Sequence, residues 1–223
     1  MTWTYRALVV AVFATCLHSG PNTARADFAE GQPWGLEFGF GWGRTRSSDY
    51  IRTLEDFGYT RDSRTGFRAV VAASRRVCRY FEILFQFNTL DDQNFARSAG
   101  IGVDDSFKFS TLAFGIHGRA WFPTPNDRFR AYAQLGVGSS VAITRLRTRL
   151  SQDAPRTEFR DAQWSYNITS LLGIEGMVSK HVGLFLNGGY VFAPVPKNLF
   201  GQRHQSGGGL VLVGISAHFG RTR

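Results

Sequence analysis

Cysteine is almost missing from this 223-residue chain: Cys16 and Cys78 are the only two. Cys16 falls inside an expected leader, behind Phe13-Ala14-Thr15, a poor lipobox, and its loss would leave Cys78 alone. One cysteine excludes an intramolecular disulfide scaffold and a cysteine-built metal cluster. Long hydrophobic runs are missing as well. The apolar stretch Ala7 to Thr15 is about half the ~20 residues that a membrane-spanning helix needs, and no other run comes closer. Negative charge is scarce: 17 Asp and Glu stand against 26 Lys and Arg, a net charge of +9. A pI near 10.1 in a cytosolic chain would point to nucleic acid. Behind a leader, no nucleic-acid partner is expected, and phosphate-bearing lipid becomes the anionic partner.

Residues 1–26 read as a secretory signal peptide. Arg6 supplies the positive start, Ala7 to Thr15 the short apolar core, and Ala24-Arg25-Ala26 an A-x-A cleavage site before Asp27. Its removal takes away Arg6 and Arg25 and no acid, so the net charge falls to +7. Residues 27–223 are enough for one all-β domain.

What is abundant is alternation. From Trp34 to Gly43 every even position is apolar (Trp34, Leu36, Phe38, Phe40, Trp42), and every odd one is Gly except Glu37. A period of two puts each set on its own face of a strand. Seven further segments repeat the pattern: Phe67 to Ser74, Arg79 to Leu90, Phe107 to Phe122, Phe129 to Val137, Trp164 to Glu175, Val182 to Phe192, and a last strand ending at Phe219. In each, most aromatic and aliphatic residues hold one parity, with Tyr80, Leu84, Tyr132 and Leu212 on the other. Glycine, amide, hydroxyl and charged residues hold the other.

The connections alternate as strictly. Thr45 to Thr65, Asp91 to Asp105, Thr144 to Asp161 and Ala193 to Ser206 are long. Arg75 to Cys78, Pro123 to Arg128 and Ser179 to His181 are short. Short turns at one end and long loops at the other mark an up-and-down outer-membrane barrel. The expected fold is therefore an all-β, eight-stranded, antiparallel up-and-down transmembrane β-barrel over about residues 31–219. A soluble lipocalin would share the strand count but would turn its apolar face inward around a ligand.

The chain resembles the small outer-membrane β-barrel family of the OmpA and OmpX type. The resemblance covers Gly31 to Phe219 and rests on this architecture and on the last strand, Val211-Leu212-Val213-Gly214-Ile215-Ser216-Ala217-His218-Phe219, which ends in an aromatic. It implies an outer-membrane location, insertion by the outer-membrane assembly machinery, and lipid and lipopolysaccharide as surroundings. A monomer is expected, with no cofactor and no metal.

An eight-stranded barrel is just wide enough for side chains to fill. The inward parity gathers Glu37, Glu82, Glu175, His117, Arg119, Arg130 and His218 in the lower lumen. Arg119 and Arg130 flank one short turn, and Glu82 and Glu175, on the neighbouring strands, are their expected partners, because buried charge is tolerated only when paired. A salt-bridged plug and a structural or surface-interaction role follow as the expectation. The alternatives are a narrow channel along the Gly35, Gly39, Gly41 and Gly43 wall, and a lipid A-modifying acyl hydrolase or transferase. For the latter, Ser216 and His218 share a face beside Glu37 on the adjoining strand. No catalytic residue is assigned.

The outward parity of the fifth strand continues as Val141, Ile143, Arg145, Arg147 and Arg149. Guanidinium groups there suit lipopolysaccharide phosphates in bidentate geometry. Asp91-Asp92 and Asp104-Asp105 bracket the second long loop as a weak cation candidate. Tyr50, Phe57, Tyr59 and Phe95 mark loop tips, for adhesion or for packing on one another.

Overall fold

The computed structural model describes residues 32–45, 52, 54–61, 66–98, 104–123, 129–149, 155, 157–195 and 205–220. The expected leader, its cleavage site and Tyr50 lie outside them. Among the described residues there are nine strands: β1 (Trp34–Thr45), β2 (Thr60–Arg61), β3 (Phe67–Cys78), β4 (Phe81–Ser98), β5 (Asp104–Trp121), β6 (Phe129–Arg149), β7 (Thr157–Met177), β8 (Val182–Phe192) and β9 (Gly208–Phe219). All pairings are antiparallel. β1 passes over β2 to pair with β3, and β9 returns to β1 from Trp34↔Phe219 to Thr45↔Gly208. That last ladder closes eight strands into a ring with no free edge. The ninth, β2, is a two-residue strand laid against Phe95 and Ala96 of β4.

The apolar parity faces outward. Phe38, Phe40, Ile116, Val137, Leu172, Leu184 and Ile215 are exposed, while Glu37, Glu82, His117, Arg119 and Glu175 are buried. Water would leave such a surface unsatisfied and bilayer hydrocarbon suits it, so the ring is a transmembrane β-barrel. Trp34, Phe122, Phe129 and Phe219 stand outward near the end that carries the short turns, and Trp42, Trp164 and Tyr166 outward toward the other. These are the two interfacial girdles.

Three connections differ from expectation. The first short turn is Arg79–Tyr80, because β3 continues to Cys78, opposite Phe81 and past an irregularity at Arg76. Arg75 and Arg76 end the hydrophobic alternation before the backbone pairing ends. Conversely, much of two long loops is strand: β4 and β5 pair out to Ser98↔Asp104, and β6 and β7 out to Thr148↔Thr157. Above the membrane the pattern inverts. Phe95, Phe107 and Phe109 are buried inside, whereas Ser106, Lys108 and Arg147 lie outside. Reading strands by outward apolar residues stops where the lipid stops, although backbone pairing does not.

Candidate functional site

Arg119 of β5 is the centre of the lower lumen, 1% exposed. Its Nη2 donates to Glu37 Oε2 at 2.8 Å and its Nη1 to Glu37 Oε1, a bidentate fork across the lumen from β1. Glu82 Oε2 stands 3.6 Å from Nη1. Nε and Nη2 also donate to Gln134 Oε1, at 3.1 and 2.9 Å. The guanidinium carbon lies 4.2 Å from the Tyr132 ring centre and 5.4 Å from that of Trp121, within cation–π range. The remaining polar atoms chain onward. Gln134 Nε2 donates to Gln86 Oε1 at 2.7 Å and lies 3.0 Å from His117 Nδ1, and Gln86 Nε2 donates to Asn88.

Glu175 of β7 belongs to a second cluster. His218 Nε2 lies 2.9 Å from Glu175 Oε1, and the Ser216 hydroxyl donates to the same oxygen. Thus the carboxylate expected beside the arginines faces a histidine, while the one on β1 serves Arg119. Arg130 is half-buried on β6, directly opposite Glu175 in register. Ser216 and Glu37 are register partners, yet Glu37 is turned to Arg119. A hydrolase needs the serine hydroxyl on an imidazole nitrogen. Here serine and histidine share one carboxylate oxygen instead.

Above these polar clusters lies an apolar layer, with Val70, Leu90, Leu171, Phe185, Leu210 and Leu212 in one cluster. The Phe185 ring lies over the β1 and β9 backbones. A Cβ on Gly39 or Gly214 would come within 2.7 or 2.5 Å of its Cζ. The glycine wall is therefore occupied by side chains from elsewhere: Phe185 at Gly39, and the buried Arg68 at Gly43. Gln86, Tyr132, Gln134, Asn187 and Arg68 share the inward parity of their strands. A reading centred on charges of the lower lumen passed over the first four because amides and phenols advertise nothing singly, and over Arg68 because it lies toward the other end of β3.

The described part of the first loop packs on the β4–β5 hairpin. A helical turn at residues 54–56 closes at Gly58, whose φ of 80° favours glycine. Leu54 and Tyr59 then pack on Phe95, Phe107 and Phe109. Tyr59 and Phe95 thus pack together, whereas Phe57 is exposed. Arg97 stacks over Tyr59 at 5.2 Å, bonds Asp105 at 3.0 Å and donates to the Phe57 carbonyl at 3.3 Å. Burial and the Asp105 carboxylate raise the Tyr59 phenol above its usual range. The aspartate pairs do not meet, since Asp91 is opposite Thr111 while Asp105 is opposite Arg97, at the far end of the hairpin.

On the outer face, Arg145, Arg147 and Arg149 succeed one another along β6; the Arg149 side chain lies outside the described residues. Arg147 Nε pairs with Glu158 of β7 at 3.0 Å. Arg145 stands opposite Lys108 on one side and Arg160 on the other.

No protein-family model and no curated protein matches the chain. Solved structures do resemble it. Neisserial surface protein A is 15% identical with a TM-score of 0.48, over 83% of this chain and 97% of that one. Ail, the attachment invasion locus protein of Yersinia pestis, solved with the heparin analogue sucrose octasulfate, is 10% identical with a TM-score of 0.47, over 85% and 100%. The outer membrane protein OprG of Pseudomonas aeruginosa is 9% identical with a TM-score of 0.47, over 87% and 100%.

Proposed function

We propose that this protein is a monomeric outer-membrane barrel with a plugged lumen, which acts through its outer surface and extracellular hairpins. The observation that carries this reading is Arg119, held from three strands by Glu37, Glu82 and Gln134 and overlain by the Phe185 layer. A charge in that setting stays only where its partners stay, so the lumen offers neither a water path nor a mobile counter-ion. Lipopolysaccharide is its partner at the outer rim, and the assembly machinery its partner during insertion. The serine and histidine on Glu175 fill and fix the lumen and perform no acyl transfer.

Planar-bilayer recording of the purified, refolded chain tests the plug. No single-channel current above that of protein-free bilayers is expected. A steady ohmic current would replace this reading with the narrow channel. Lipid A acylation that changes when the protein is deleted from its host, and is restored by the wild-type chain but not by Ser216→Ala, would replace it with the enzyme.

A further inference from the structure

The three arginines of β6 differ in what the fold sets beside them. Arg147 has an acid at its own register position: Glu158, paired at 3.0 Å. One same-face step closer to the membrane, the register runs Lys108↔Arg145↔Arg160 across β5, β6 and β7. Directly opposed like charges on adjacent strands repel. Neither Arg145 nor Arg160 has a carboxylate partner among the described residues. Arg145 and Arg160 therefore lack the neighbouring carboxylate that Arg147 has.

Height says which anion fits. The outward face of β7 passes from Trp164, in the upper girdle, through Ala162 to Arg160. Four residues of strand are about 14 Å long, or about 10 Å in height at a tilt near 40°. The headgroup zone of a simple phospholipid extends only about 5–8 Å beyond the hydrocarbon. A phosphate at the height of Arg160 thus belongs to a lipid with a tall saccharide headgroup. Beside Arg145 there is room for one. A cleft of about 530 Å³ is lined by Thr60, Asn94, Ser106, Lys108, Arg145 and Arg147 among others, with no acidic residue in its lining among the described residues. Hydroxyl, amide and cationic groups around one cleft suit a phosphorylated sugar.

We propose that Lys108, Arg145 and Arg160, with the cleft beside Arg145, bind a phosphate on the saccharide headgroup of outer-leaflet lipopolysaccharide. The site is a row across three strands and not a stripe along one; Arg147 also lines the cleft, but it keeps Glu158 as its partner and contributes less. This rests on lipopolysaccharide being the partner at the rim.

The test uses the full chain in detergent with lipopolysaccharide, dephosphorylated lipopolysaccharide, phosphatidylglycerol and soluble sucrose octasulfate as probes, and native mass spectrometry as the readout of binding. Wild type should retain lipopolysaccharide and lose it on dephosphorylation. Arg145→Ala/Arg160→Ala should weaken binding at least tenfold, Arg147→Ala by a clearly smaller factor, and Arg75→Ala, on the exposed outer face at the short-turn end, not at all, with unchanged circular dichroism in each. Wild-type-like binding by the double variant, or an equal loss in Arg147→Ala, would overturn the row while leaving the partner standing. No preference of the wild type for lipopolysaccharide over phosphatidylglycerol would overturn the partner itself. Equal occupancy by sucrose octasulfate would overturn the lipid-anchored assignment in favour of a soluble polyanion.

Discussion

The lower and upper halves of the long strands obey opposite rules. In the membrane belt Ile116, Val137 and Leu172 face out while Arg119, Gln134 and Glu175 face in. In the hairpins above, Lys108 and Arg147 face out while Phe107 and Phe109 face in, ring centres 4.4 Å apart. The ladders run through both halves without a break in pairing from Thr111↔Ala142 to Asp104↔Arg149. What changes is the solvent. Hydrocarbon takes the apolar parity outside the belt, and water takes the polar parity outside the hairpins. The inversion locates the membrane surface on the molecule.

Four sets of substitutions, ordered by expected effect, sharpen that contrast. Arg119→Met, inside the belt, should cost most, about 3–5 kcal/mol, because it leaves Glu37 and Glu82 buried without their counter-charge. Urea unfolding in lipid vesicles measures it, and a loss below about 1 kcal/mol would argue against the network as a stabilising centre. Phe109→Ala, inside the hairpins, should cost about 3 kcal/mol through lost packing. Its effect should appear as faster proteolysis of the hairpins with the belt still folded. Equal loosening of both halves would deny that they pack independently.

The next test exchanges outer faces. Leu172→Arg, exposed to lipid at mid-height, should cost about 2–4 kcal/mol, as a charge on the bilayer face does. Ser106→Arg, on the outer face of the hairpin, should stay within about 0.5 kcal/mol. Similar costs at both sites would mean that the proposed membrane level is wrong. The smallest effect is expected of Arg147→Ala, below about 1 kcal/mol, since both it and Glu158 are largely solvated. A clearly larger loss, measured by the same unfolding titration, would show that the rim carries structural strain.

Much of this was legible in residue order. The parity of Trp34 to Trp42 placed Glu37 inside and five apolar residues outside. The same logic failed above the membrane: Phe95 looked like a loop-tip aromatic, although its parity, outward at Ile83, Phe85 and Phe87, turns inward past an irregularity between Thr89 and Asp91. A single bulge reverses which residues face in, and nothing in the composition marks it.

The chain order by itself determined which face of each strand meets lipid, because period-two alternation is a local property of the extended backbone. Strand count and the alternation of connections followed from the same pattern. Only the closed ring decided who meets whom. Glu37 and Arg119 are 82 residues apart and become partners because the β1–β9 ladder carries β1 across the lumen from β5. Likewise Arg145 stands between Lys108 and Arg160, and Arg147 beside Glu158, through the registers of β5, β6 and β7. Register is a long-range quantity, set by how all eight strands close at once, and a shift of two residues would preserve every face while exchanging every partner.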